Sequence, residues 1–228
     1  MTALELLEKA ITDLECRLNL KPGESKSGNK KQPKKQGKKN QNQNKPKKQP
    51  PVQGRNENQP DICKLEFKVG QIVKVWNHPE ADKLYCEEID VGEANPRQIA
   101  SGLRPHFSLE EMQGQRLLVV SNLKAKNLVR FKSHGMVLCA AEPKEDGGEL
   151  VEFVEPPEGA KIGEIVTFDG LPTPEPWSSA QVEKKKVFAA CMGGMKTTSD
   201  GAGAWNGHVF MTSAGPCKTK TIKGGVMR

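Results

Sequence analysis

The chain has 228 residues and a formal net charge of +7, and its eleven aromatic residues all lie at or after Phe67. No apolar run approaches the ~20 residues of a membrane helix, and the N-terminus lacks the apolar stretch of a secretory signal, so a soluble cytoplasmic protein is expected. Six cysteines without a C-x-x-C pair, and four histidines without H-x-x-x-H or H-x-x-E-H spacing, argue against a zinc site and a disulfide framework; they read as reduced thiols in the core.

The charge is unevenly placed. Residues 1–20 sum to −2 and residues 21–60 to +10, leaving −1 for the rest. A polycationic stretch beside a near-neutral body, which begins near Asp61, points to a polyanionic partner.

Residues 1–20 read as an amphipathic helix. Thr2 and Glu5 form a capping-box pair, and Leu4, Leu7, Ile11, Leu14 and Leu18 repeat at heptad spacing. A lone helix of this length is marginal in water. It frays, packs on its own body, docks a partner or self-associates; docking is favoured because a long tether follows. That tether, 21–62, is rich in Lys, Gln, Asn and Pro and has almost nothing apolar to bury, so it is expected to be disordered. Within it Lys30, Lys31, Lys34, Lys35, Lys38, Lys39, Lys45, Lys47 and Lys48 form a polycation suited to non-specific phosphate contacts.

From Leu65 the apolar pattern changes to period two. Leu65, Phe67, Val69, Val73 and Val75 predict a strand with a bulge or bend at Gly70, ended by Asn77-His78-Pro79. Further strands are predicted at Leu84–Val91 and Gln98–Ser101. A short helix from Ser108 follows, with Glu111 as its capping-box partner and Phe107 and Met112 at the staple positions. Strands at Leu117–Val120 and Met136–Ala141 complete a set of five, with a helix between the third and fourth. That order predicts a mainly β fold, a five-stranded OB-type barrel. Residues 149–228 predict a smaller β-rich extension, with strands at Leu150–Val154, Glu164–Phe168, Val182–Ala189 and Val209–Thr212.

Linked motifs then suggest a family. Phe67-Lys68-Val69-Gly70-Gln71-Ile72-Val73, His78-Pro79-Glu80-Ala81-Asp82-Lys83-Leu84-Tyr85 and Ile89-Asp90-Val91-Gly92 resemble the tRNA-binding domain of the endothelial monocyte-activating polypeptide II type. Ser101-Gly102-Leu103, Asn122-Leu123-Lys124 and Ser133-His134-Gly135-Met136 continue the match in order, and Glu155–Gly159 and Lys184–Phe188 resemble the C-terminal extension of its eukaryotic members. The resemblance implies four regions: a docking helix (1–20), a linker (21–62), an OB-fold tRNA-binding domain (63–168) and an extension packed on the barrel (169–228). It further implies a monomeric body, because the extension is understood to mimic a dimer interface of shorter relatives.

The resemblance places Asn122, Lys124, Ser133 and Met136 on the RNA surface. Charge supports the same segment independently, since Lys124, Lys126, Arg130 and Lys132 are four cations in nine residues. Relatives commonly carry an Arg-Gly pair where this chain has Val129-Arg130, a displacement that in an unchanged strand register would turn the cation to the opposite face. No nucleophile elbow or phosphate loop is present, so neither a catalytic residue, a cofactor nor a metal site is expected. The expected function is that of a non-catalytic accessory protein binding tRNA and one or more aminoacyl-tRNA synthetases within a multi-synthetase complex. The alternatives are the precursor of a secreted cytokine-like fragment and a general RNA chaperone.

Overall fold

A computed structural model describes residues 58–145 and 147–228. The expected N-terminal helix and nearly all of the Lys-rich linker lie outside the described residues. The described chain is mainly β, with antiparallel pairing throughout and three short α-helices. After a single 3-10 turn at Asp61–Lys64 come β1 (Phe67–Asn77), β2 (Tyr85–Asp90), β3 (Arg97–Ser101), α1 (Leu109–Met112) and β4 (Arg116–Val120). A two-stranded hairpin, β5 (Lys126–Leu128) and β6 (Phe131–Ser133), precedes β7 (Met136–Pro143) and β8 (Glu149–Phe153). The remainder comprises β9 (Thr167–Phe168), α2 (Ser179–Lys184), α3 (Val187–Met192), β10 (Met195–Thr197), β11 (Gly203–Trp205), β12 (His208–Thr212), β13 (Gly215–Pro216) and β14 (Val226–Met227).

The main ladder runs β13-β12-β11-β10-β14-β7-β4-β1-β2-β3, so the C-terminal strands continue the sheet of the first half. The junction is β14, which pairs with β7 at Ala140 and Ala141, where β4 has left off at Leu138. Both faces of the central strands are therefore covered. In β4, Leu118 and Val120 enter one core and Leu117 and Val119 the other, and β7 divides Leu138 and Ala140 from Val137 and Cys139 in the same way. A strand buried on both faces reads as a continuous apolar run, which is why Leu117–Val120 shows no alternation. One core centres on Phe67, Phe168 and Phe210, whose rings meet edge to face at centroid distances of 5.9, 5.1 and 4.9 Å. Burying each such ring contributes about 2–3 kcal/mol. The other core lies between β1, β2 and β3 and includes Ile72, Tyr85, Ile89 and Ile99.

The helix signal at Ser108 is realised in full: Glu111 N donates to Ser108 Oγ (3.3 Å) and Ser108 N donates to Glu111 Oε2 (2.7 Å). Three expectations need correction. The irregularity of β1 lies at Val73, between Ile72 and Lys74, and not at Gly70. A Cβ at Gly70 would come within 3.0 Å of Ile89 Cγ2 and 3.3 Å of Asp90 O, so glycine serves close approach there. The predicted strand at Glu164–Phe168 is ladder only at Thr167–Phe168, preceded by an isolated bridge from Ile165 to Lys68. The predicted strand at Val182–Ala189 is helical, forming α2 and α3. Its start carries the same signature as α1: Gln181 Oε1 accepts from Ser178 N (3.2 Å) and Ser178 Oγ (2.8 Å), with Trp177 and Val182 buried at the staple positions.

The five cysteines among the described residues are free and buried. Burial pushes the Cys191 and Cys217 thiols up to about 12, which leaves them protonated and unreactive.

Candidate nucleic-acid interface

The β5–β6 hairpin pairs Lys126 with Ser133, Asn127 with Lys132 and Leu128 with Phe131. Its two-residue turn, Val129-Arg130, has φ of 46° and 68°. Positive φ at both central positions matches the twist of a hairpin and is ordinarily supplied by Asn or Gly; a β-branched residue there is strained. The displaced Arg130 therefore sits in the turn itself. Its guanidinium is largely exposed and pairs with Glu80 at 3.0 Å, on the loop between β1 and β2. Nearby, the Phe131 ring meets Trp76 (6.1 Å) and His78 (6.3 Å) edge to face. Those rings hold the hairpin over the ends of β1 and β2, so Phe131 packs as a scaffold ring.

The remaining candidates divide into two groups. Asn122 and Ser133 have polar groups already committed within the fold. Asn122 Oδ1 accepts from Glu66 N (2.8 Å), and its Nδ2 donates to Lys64 O (2.9 Å) and Trp177 O (3.0 Å). Ser133 is buried; its Oγ accepts from Ala100 N and donates to Gly135 O, both at 3.1 Å. These two side chains pin the segment in place. Lys124, Lys126 and Lys132, by contrast, are exposed and have no ion-pair partner among the described residues.

A second anchor comes from Arg97 at the edge of β3. It grips Glu93 with Nε (2.8 Å) and NH2 (2.6 Å), and its NH1 donates to the carbonyls of Ser121 and His134. The Arg97 bonds hold the Glu93 carboxyl down to about 2. One fork thus ties β3 to both ends of the β4–β7 connection.

Four of the candidates, Lys124, Lys126, Ser133 and Met136, line a single groove of about 360 Å³; Asn122, Arg130 and Lys132 lie outside its lining. Across the groove stand Val182, Glu183, Lys186 and Phe188 from α2 and α3. Lys186 has φ 52° at the kink between the two helices, which carries its side chain to the groove. Sequence reasoning matched Lys184-Lys185-Lys186 to relatives but assigned it no contact. The available signal was the Ser178-x-x-Gln181 helix start, which turns this basic run into an exposed helix end. The surface so assembled presents cations from two separate chain segments around partly buried apolar walls, an arrangement that can engage phosphates and flat apolar groups together.

A model of the putative tRNA binding domain matches residues 67–165. The probable methionine--tRNA ligase of Oryza sativa is 43% identical over 167 residues, covering 73% of this chain and 20% of that protein. The cytoplasmic tyrosine--tRNA ligase of Xenopus laevis is 36% identical, covering 75% and 32%. The aminoacyl tRNA synthase complex-interacting multifunctional protein 1 of Cricetulus griseus is 36% identical over 163 residues, covering 71% and 44%. The chain therefore spans less than half the length of these relatives. Among solved structures, the C-terminal domain of Plasmodium vivax p43 superposes with a TM-score of 0.67 at 32% identity, covering 74% of this chain and 99% of that one. With its motifs, strand order and this structural match over 74% of its length, the chain belongs to the tRNA-binding domain family of the endothelial monocyte-activating polypeptide II type.

Proposed function

We propose that this chain is a non-catalytic accessory protein that binds tRNA and presents it to aminoacyl-tRNA synthetases, as part of a cytoplasmic multi-synthetase assembly. The observation that carries the reading is the convergence of Lys124, Lys126 and Lys186 on one groove with no ion-pair partner among the described residues. Cations left unpaired on both walls favour a polyanion, and family membership makes tRNA the first candidate.

Within this reading the neighbour order β3-β2-β1-β4-β7 supplies the five strands of an OB-type barrel. No ladder joins β3 to β7 among the described residues, but His134 N donates to Gln98 O (2.8 Å) and Ser133 Oγ bonds Ala100 N, which supports closure at that seam. Residues 63–168 then form the tRNA-binding domain and 169–228 an extension that caps it and keeps the body monomeric. Residues 1–20 dock a synthetase or a second copy, and 21–62 add sequence-independent attraction.

Filter binding of tRNA and of a duplex DNA of equal charge between 50 and 200 mM salt tests the proposal. Tighter binding of tRNA is expected at every salt concentration. Replacing Lys124, Lys126 and Lys186 together by alanine should reduce the log–log salt slope by roughly 2–3, at about 0.7–0.9 per lost phosphate contact. Deleting 21–62 should weaken binding but keep the preference for tRNA. Equal, wholly charge-driven affinity for both nucleic acids would overturn the reading, and complete loss on deleting the tail would favour a general RNA chaperone.

A further inference from the structure

The groove between the β5–β6 hairpin and the α2–α3 pair has a construction that phosphate binding alone does not require. A phosphate surface needs cations standing in water. Here the lysines border a half-open groove of about 360 Å³, a volume in the range of small-ligand pockets, roughly 300–1,000 Å³. Its walls are apolar: Leu128 and Met136 on the hairpin side, Val182 and Phe188 on the helix side. Met136 and Phe188 are only partly buried, packed on the core from below and open to the groove above. Flat aromatic groups gain from such walls by stacking and van der Waals contact, whereas phosphates gain nothing.

A paired base in a duplex is stacked and cannot enter; an unpaired one can be splayed out and held. Lys124, Lys126 and Lys186 border the same space and suit the phosphates on either side of that base. Glu183 is the one carboxylate of the lining among the described residues, and no ion-pair partner holds it. A carboxylate reads a Watson–Crick edge by accepting hydrogen bonds. Guanine offers it two adjacent donors, N1–H and the N2 amino group, whereas adenine offers a single amino group.

We propose that this groove takes one unpaired nucleobase of an RNA strand, guanine by preference, with the flanking phosphates on Lys124, Lys126 and Lys186. The proposal rests on the RNA-binding reading above and specifies what the site selects.

The test uses the full chain and two RNA duplexes of identical charge. One carries a four-nucleotide 3′ extension containing a single guanine, and the other the same extension built from abasic nucleotides. The protein should bind the first about tenfold more tightly, the order of effect of stacking one base. Ala189→Trp, an exposed helix position on the groove, should fill the space and bring both RNAs to the abasic level, with unchanged thermal midpoint and salt slope. Phe188→Leu, which keeps the packing but removes the ring, should give an intermediate loss. Replacing the guanine by adenine should cost several-fold, and Glu183→Leu should remove that difference. Equal binding of the two duplexes, or a preference that survives Ala189→Trp, overturns the groove assignment while leaving RNA binding standing. Failure to bind either RNA overturns both readings. A synthetic peptide of residues 1–20 that saturates the groove, with no base preference present, would assign the space to a protein segment and overturn the proposal.

Discussion

Glu87 offers the sharpest test of how the fold is balanced. It sits on β2 between Tyr85 and Ile89, on the face those residues direct into the second core, and is wholly buried. Its Oε1 accepts from Ser101 Oγ, while Oε2 has no partner among the described residues. Burial raises its carboxyl from the ordinary 4.5 to about 8, with the Ser101 bond opposing that rise. The folded value lies above the unfolded one, so the stability involved is fully present below pH 4.5 and lost as pH rises toward 8. At pH 7 the unfolded chain gains about 3 kcal/mol by ionising a group that the folded chain keeps neutral, at about 1.4 kcal/mol per pH unit. Glu87→Gln cannot ionise in either state. Its stability relative to the parent should therefore grow by about 3 kcal/mol between pH 4.5 and pH 7, or by about 6–12 °C in midpoint for a body of this size. Any cost from burying the amide is constant with pH and leaves that slope untouched. Urea unfolding of both proteins at pH 5, 6, 7 and 8 measures it. Two parallel stability curves would show that Glu87 ionises as readily folded as unfolded, and the burial argument would fail.

Three further outcomes follow from the site's geometry. Asn122→Ala should cost about 2–4 kcal/mol, because it leaves Glu66 N, Lys64 O and Trp177 O without their partner; loss of tRNA affinity with unchanged urea midpoint would instead make Asn122 a direct RNA contact. Val129→Asn should stabilise by about 1 kcal/mol, since asparagine tolerates the φ of 46° that valine resists, and a lower urea midpoint would refute the strained-turn description. Glu93→Gln should destabilise the seam between β3 and the β4–β7 connection at neutral pH. Because Arg97 holds Glu93 down to about 2, that difference should persist above pH 4.5 and fade as pH falls toward 2; a gap that widens on acidification would contradict it.

The first half of the body was largely legible because local signals and tertiary demands agree. Alternation over Phe67–Val75, the turn at His78-Pro79 and the Ser108–Glu111 capping box each specify one local structure, and packing adopts it. Where they disagreed, packing prevailed. Val187 and Phe188 favour a strand by intrinsic preference, yet they are helical: α2, started by Ser178 and Gln181, leads through the kink at Lys186 into α3, and Trp177, Val182, Val187 and Cys191 of this segment cover the outer side of the core. The position of the bulge in β1 is not legible for a related reason. A glycine within a strand signals either a bulge or close approach, and only the distance from Gly70 to Ile89 and Asp90 decides between them.

The candidate site illustrates the same limit in chemical terms. A sequence reports which polar groups are present but not which of them the fold consumes. Asn122 and Ser133 flank the basic hairpin, and their hydrogen-bonding capacity goes to backbone groups of Glu66, Lys64, Trp177, Ala100 and Gly135. Lysine is less easily consumed, because its long stem keeps the ammonium in water unless a carboxylate lies within reach. Charge density is therefore the signal that folding leaves intact: Lys124, Lys126 and Lys186 stay exposed and border one groove. A substitution scan should accordingly separate by chemistry: alanine at the polar pins should lower stability, and alanine at the unpaired lysines should lower the salt dependence of RNA binding while leaving stability unchanged.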